Sequence, residues 1–317
     1  MAAQNNLALP DGLDIAGYHI VKKIGSGGFS IVYLAQDARG HAVALKEYLP
    51  SELALRGKGA LALVVSAAQL ALFRIGLACF LDEARALALI HHPNVVRGRD
   101  FFRANQTAYM VLDFEPGHSL QHAIVLARAR GERLSVAFIV ATFVKVIDGV
   151  RAVHASKFLH LDLKPANIHL RHNGEPVLLD IGGASWHRAA AGPIEISAQL
   201  PTQVPIFTPG FAAPELYAGS PGPWSDAYGI GAAIYACMLG TAPQPADRRA
   251  IEDQTEDQLS SLAGAYSGAL VQLVRWCLEL DPLARPQSLF ALQRRLRAID
   301  VGNRAYRGQV QSGIAAA

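Results

Sequence analysis

The chain has 317 residues, 51% of them hydrophobic and 17% charged, which excludes a disordered chain and suits one large domain or two lobes sharing a core. Lys and Arg total 29 against 26 Asp and Glu, so the charge gives no argument for nucleic acid, whose binders concentrate a basic stripe. The three cysteines, Cys79, Cys237 and Cys277, are far apart in apolar surroundings and form no CxxC pair, as expected of buried thiols in a reducing compartment.

Residues 1–17 show no basic start followed by an apolar run, so no signal peptide is expected and the stretch reads as an N-terminal extension. From Tyr18 to Lys46 the pattern is strand, glycine turn, strand, polar turn, strand. Ile20, Val21 and Ile24 lead into Gly25-Ser26-Gly27-Gly28-Phe29-Ser30. Ile31-Val32-Tyr33-Leu34 and Ala42-Val43-Ala44-Leu45-Lys46 follow, which predicts an antiparallel meander. Next comes an Ala/Leu-rich insert, 48–79, with helical periodicity around Ala60 to Phe73. A helix is predicted over Phe80 to Ile90, where Leu81, Ala84, Leu87 and Ala88 recur at helical spacing and Pro93 ends the run. Strands near Val95 to Arg103 and Thr107 to Phe114 complete a small sheet. Beyond Gly117 the chain turns helical, over Leu134 to Ser156, Trp224 to Leu239, Tyr266 to Leu280 and Pro286 to Ile299. The apolar stretches Leu61 to Phe73 and Ala227 to Ala242 fall short of the roughly 20 residues that span a bilayer. The expectation is a cytoplasmic protein with no membrane partner.

The glycine turn by itself is a weak signal. A dinucleotide-binding GxGxxG loop needs a helix after it, whereas a strand follows here, an arrangement that folds backbone N–H groups over a triphosphate. The segment His160-Leu161-Asp162-Leu163-Lys164-Pro165-Ala166-Asn167 is far more specific. Asp162 can accept a proton or orient a hydroxyl, and Lys164 can offset charge on a transferring phosphoryl group. Asn167 offers a neutral oxygen to a hard cation such as Mg²⁺. Val177-Leu178-Leu179 then reads as a short strand ending in Asp180-Ile181-Gly182, which lets the Asp180 carboxylate reach the same metal.

On these motifs the chain resembles the eukaryotic-type (Hanks) protein kinase family, including its bacterial members, over roughly Tyr18 to Ala298. The resemblance implies an α+β, bilobal protein-kinase-like fold. A small antiparallel sheet lobe with one key helix would occupy 18–114, carrying the insert 48–79. A larger, mainly helical lobe would occupy 115–300, with 301–317 a loose tail. It implies ATP as co-substrate, Mg²⁺ or Mn²⁺ as metal, and protein substrates with Ser/Thr acceptors. Gly25, Ser26, Gly27 and Gly28 would cover the phosphates. Lys46 would hold the α- and β-phosphates and pair with Glu83. Val32 and Ala44 would lie above adenine, with Leu112, Asp113 and Glu115 at its edge and His169 on the other side. Asp162 matches the catalytic base, Lys164 the phosphate-contacting lysine, and Asn167 and Asp180 the metal ligands.

Further matches lie outside the active site. Thr208-Pro209-Gly210-Phe211-Ala212-Ala213-Pro214-Glu215 resembles the end of the activation segment, and Lys164 with Thr208 is the Ser/Thr-type pairing. Asp226 would brace the catalytic-loop backbone, and Arg285 would pair with Glu215. The run Lys46-Glu47-Tyr48-Leu49-Pro50 with its long insert resembles a bacterial subgroup.

Four residues depart from the pattern: Ser30 at the third glycine, Leu161 for the arginine before the catalytic aspartate, Ile181 for phenylalanine, and His169 for an apolar adenine contact. Leu161 removes the usual charge partner of an activation-segment phosphate, so activity is expected not to need phosphorylation there, at Ser185, Ser197 or Thr202. His118 and His122, four apart, could share a helix face, but two histidines lack the third ligand of a zinc site. Two rival readings stand beside the kinase. A small-molecule phosphotransferase of the aminoglycoside type would lack the segment from Thr208 to Glu215. A pseudokinase module usually loses an equivalent of Lys46, Asp162 or Asp180, and all three are present.

Overall fold

The computed structural model describes residues 7–181 and 207–299. Gly182, the hydroxyls of Ser185, Ser197 and Thr202, and the tail expected over 301–317 lie outside the described residues. The described chain gathers into two compact units, one from 7–92 and 96–115, the other from 93–95, 116–181 and 207–299.

The first unit is a six-stranded antiparallel sheet with one long helix. Its strands are β1 (Asp14–Ile15), β2 (Tyr18–Ser26), β3 (Ser30–Gln36), β4 (Ala42–Tyr48), β5 (Gly98–Ala104) and β6 (Thr107–Asp113), in the order β1-β2-β3-β4-β6-β5. The helix α1 spans Leu70–Leu89. In β3 burial alternates, with Ile31, Tyr33 and Ala35 inside, as the two-residue period of a strand requires. The central strand β4 is buried from Val43 to Tyr48 on both faces. On one face Lys46 meets Glu83 of α1, and the Tyr48 ring lies 5.2 Å from Phe73 and 5.6 Å from Phe80.

Helix α1 starts ten residues earlier than its periodicity predicts, at Leu70 rather than Phe80, so the last ten residues of the insert 48–79 are its first turns. The helical spacing read around Ala60 is not helix. Leu55 and Val64 instead form an antiparallel bridge, and the Leu63 N–H donates to the Asn105 carbonyl at 3.1 Å. The Ser66–Gln69 turn starts the helix, held by Gln69 Nε2 donating to the Glu52 carbonyl at 2.7 Å. Strand β5 likewise starts late, at Gly98, because Val95 belongs to the second unit, where it bridges Leu178.

The second unit holds a three-stranded sheet of β7 (Gly117–Ser119), β8 (Ile168–Arg171) and β9 (Pro176–Leu178), in the order β7-β8-β9. Its helices are α2 (Leu120–Ala129), α3 (Val136–Ala155), α4 (Pro214–Tyr217), α5 (Pro223–Leu239), α6 (Ala246–Arg249), α7 (Thr255–Ser260), α8 (Gly268–Cys277) and α9 (Leu289–Arg297). The hydroxyls of Ser119, Ser135, Ser267 and Ser288 cap α2, α3, α8 and α9, each meeting an N–H that the first helical turn leaves unpaired. Helix α5 is buried from Ser225 to Met238 and runs through the unit's core. Gly231 lets α5 approach α8, since a Cβ there would sit 2.3 Å from Cys277 Cβ. The three cysteines are buried and form no disulfide.

One buried ion pair ties α4 to the turn before α9. Arg285 Nη1 and Nη2 donate to the two Glu215 oxygens at 2.7 and 3.0 Å, Nε and Nη2 donate to the carbonyls of Glu279 and Leu280, and Ser225 Oγ donates to Glu215 Oε1 at 2.6 Å. Both side chains are almost fully buried, so removing one charge strands the other in a low-dielectric setting. Arg285→Ala is expected to destabilise the fold by roughly 3–5 kcal/mol, measured as a shift in the denaturant midpoint at unchanged slope.

Candidate active site

The expected site residues fall in both units. In the first, the glycine turn joins β2 to β3. Gly25 pairs with Val32 across the turn, Val32 with Lys46, and Ala44 with Leu112. The strand registers therefore gather Gly25, Val32, Ala44, Lys46 and Leu112 along adjacent strands, with Ser26, Gly27 and Gly28 at the turn. Lys46 Nζ donates to Glu83 Oε1 at 2.9 Å, and both residues are buried. The predicted pair is thus formed, and the Phe80 ring lies 5.8 Å from Nζ. Asp113 is partly committed elsewhere, its side chain paired with Arg99 and its N–H donating to the Arg97 carbonyl at 3.0 Å. Glu115 follows half-buried.

In the second unit the chain leaves α3 as a loop over residues 156–164 and closes in a 3-10 turn, Pro165–Asn167. Lys164 Nζ donates to Asp162 Oδ2 and Thr208 Oγ1, each at 2.7 Å, and Thr208 Oγ1 donates to Asp162 Oδ1 at 2.9 Å. Asn167 Nδ2 donates to the Asp162 carbonyl and to Oδ2, both at 2.9 Å. Asp162 is thereby held by three neighbours. The Leu179 N–H donates to the Asn167 carbonyl at 3.1 Å, and Asp180 is the next residue, two past the end of β9. A carboxylate and an amide oxygen form the hard-oxygen donor set that Mg²⁺ takes, so the residues fit a bound divalent cation. His169 sits on β8, opposite Ser119 on one side and Val177 on the other.

The loop conformation is enforced from below. Asp226, fully buried on α5, accepts the N–H groups of His160 and Leu161 at 2.9 and 2.7 Å. It also contacts His154 Nε2 at 2.6 Å. Burial by itself would raise the Asp226 carboxyl, but the hydrogen bonds and charge from His154 and the His160 N–H outweigh it and leave the group below its ordinary value. Leu161 takes a left-handed φ of 60° and is buried. The expectation that Asp226 braces the loop is met. His154 was missed, because a lone histidine at a helix end carries no sequence signal of a buried aspartate 72 residues away.

One expectation fails, that His118 and His122 share a helix face. His118 lies on β7 and His122 on α2, with ring centroids 5.5 Å apart, and among the described residues no three His, Cys, Asp or Glu side chains converge on a metal position. The described residues also contain no helix long and apolar enough to cross a membrane. Ile181 is buried.

The family model for the protein kinase domain matches residues 18–296. Human serine/threonine-protein kinase 16 is 28% identical over 292 residues, covering 86% of this chain and 88% of its own. The Xenopus laevis hormonally up-regulated neu tumor-associated kinase homolog A is 31% identical over 218 residues, 67% of this chain but only 30% of that longer relative. Among solved structures, the apo form of PpkA-294 superposes with a TM-score of 0.80 at 30% identity, covering 91% of this chain and 99% of the other. The Mycobacterium tuberculosis PknI kinase domain superposes at 0.66 with 19% identity, covering 92% and 99%, and shares the fold.

The buried His160 adds a titration. Burial holds its imidazole below the ordinary histidine value, against the pull of Asp226, Asp162 and Asp180. With the folded value depressed, the neutral ring's contribution to stability is complete above an unfolded value near ~6.5 and is lost as pH falls through the folded value. Unfolding midpoints measured from about pH 7 to pH 5 should therefore fall, and His160→Phe should flatten that slope.

Proposed function

The chain belongs to the protein kinase domain family, and on that premise we propose that it is an active Ser/Thr protein kinase using ATP with Mg²⁺ or Mn²⁺. The observation that carries the reading is the closed network of Asp162, Lys164, Thr208 and Asn167. It presents a carboxylate, fixed at both oxygens, to an incoming hydroxyl, with a cation 2.7 Å away to offset charge that develops on transfer.

In the proposed mechanism Lys46, held by Glu83, binds the α- and β-phosphates, and the backbone of Gly25, Ser26, Gly27 and Gly28 covers them. Val32, Ala44, Leu112, Asp113, Glu115 and His169 contact the adenine. Asp162 orients the acceptor hydroxyl and takes its proton as the oxygen attacks the γ-phosphorus, while the bond from that phosphorus to the β,γ-bridging oxygen breaks and ADP leaves. Lys164 stays on the transferring group. Asn167 and Asp180 would hold the divalent cation, which when bound neutralises phosphate charge. The three buried thiols, none in a disulfide, suit a reducing, cytoplasmic setting, and the substrates are proteins carrying Ser or Thr acceptors. A pseudokinase would bind ATP without turnover.

Incubation of wild type and Asp162→Asn with γ-labelled ATP, Mg²⁺ and a generic basic protein tests this. Wild type is expected to yield phosphoserine or phosphothreonine, and Asp162→Asn to lower the rate roughly 10²–10⁴-fold. Nucleotide binding with no label in either protein would turn the assignment to the pseudokinase. Because Leu161 is uncharged and buried, it offers no cation to an activation-segment phosphate, so phosphatase-treated enzyme should keep its turnover in the same assay.

A further inference from the structure

The segment after β4 grips the glycine turn. Strands β3 and β4 pair as far as Ser30 opposite Tyr48. Beyond that point the Leu49 N–H donates to the Phe29 carbonyl at 2.8 Å and the Ser51 N–H to the Gly28 carbonyl at 2.9 Å. Ser51 Oγ donates to the same Gly28 carbonyl at 3.2 Å, so one residue fills both acceptor positions of that oxygen. Ser51 also opens a helical turn, in which Leu53 and Ala54 donate to the Pro50 carbonyl at 3.0 and 2.9 Å. As the first residue of that turn, its N–H has no partner within the turn and is directed at Gly28 instead.

The far end of the segment is anchored in the sheet. Arg56 Nη1 and Nη2 both bond Glu47, Nη1 at 3.0 Å, while Nε donates to the Leu61 carbonyl and Nη1 to the Leu7 carbonyl. Glu47 also accepts from Tyr33 at 2.8 Å and from Tyr109 at 2.5 Å. Glu47 is the neighbour of Lys46 on β4, its side chain on the opposite face. The same short stretch of β4 therefore places Lys46 on one side and the anchor of the 49–56 segment on the other. Gly27 and Gly28 have no packing of their own, since a Cβ at either would meet nothing within 4 Å. A loop of this composition loses much conformational freedom on ordering, and ordering it beforehand lowers the cost of binding.

We propose that Ser51 is a positioning residue for the phosphate donor: with Arg56–Glu47 as its anchor, it holds the glycine turn at Gly28 in the conformation that receives the triphosphate. This rests on the kinase reading above.

Ser51→Pro tests it, because proline suits the first position of a helical turn yet removes both donors to Gly28. ATP affinity is measured as equilibrium binding by calorimetry, and backbone order by hydrogen exchange of a fragment spanning 25–31. Ser51→Pro is expected to weaken ATP roughly threefold to thirtyfold and to speed exchange in that fragment. The thermal midpoint without nucleotide should not change, and Ser51→Thr, which keeps both donors, should match wild type in both readouts. Unchanged exchange in Ser51→Pro, or faster exchange with unchanged ATP binding, overturns the proposal. Since binding is read apart from turnover, wild type that binds ATP without transferring phosphate defeats the kinase reading alone.

Discussion

A buried carboxylate holds the loop from His160 to Asn167 in a backbone shape that its own residues do not favour. Leu161 sits at a φ of 60°, where a side chain with a Cβ is disfavoured by about 1–3 kcal/mol. Asp226 offsets that by accepting two adjacent N–H groups from inside α5, and hydrogen bonds to a charged group are among the stronger ones. With the loop so bent, Asp162, Lys164 and Asn167 face one another and reach Thr208. The neighbouring glycine matters for the same reason, since a Cβ at Gly229 would stand 2.9 Å from Leu163 Cβ. A small residue at that point of the helix allows the loop to lie directly on it.

The first unit solves a related problem with strand geometry. Lys46 and Glu47 are consecutive, so the strand period sends them to opposite faces, and both faces of β4 are buried. Each charge therefore needs its own partner in a low-dielectric interior. Glu83 from α1 serves Lys46, and Arg56 with two tyrosines serves Glu47. Burial and the Glu47 carboxylate push both phenols, Tyr33 and Tyr109, above their ordinary range, which keeps them protonated as donors. The segment 49–66 is thus no loose insertion: it carries the cation without which Glu47 would be a buried, uncompensated charge.

Local rules account for what could be read directly. The alternation from Tyr18 to Lys46 and the short strand before Asp180 are backbone-period signals, and the structure places strands there. The residues from His160 to Asn167 and from Thr208 to Glu215 are dense in special side chains, so their chemistry shows without coordinates. The helix before Pro93 was recognised, but its start was misplaced. Leu61, Val64 and Val65 have a spacing that a helix or a folded-back hairpin can share, and only the bridge of Leu55 to Val64 and the Ser66–Gln69 turn decide between them.

The amino-acid sequence by itself determined the chemistry of this protein: which carboxylates, lysines and glycines occur, in which order, and the strands and helices that carry them. Its pairing at long range was decided only by the tertiary structure. Asp226 with His154, Arg56 with Glu47 and Ser51 with Gly28 are separated by 72, 9 and 23 residues, and none has a spacing that a strand or helix period would bring together. Such partners are selected by the requirement that every buried charge and carbonyl find a donor or acceptor, a condition that acts on the packed molecule and leaves no periodic trace in the chain.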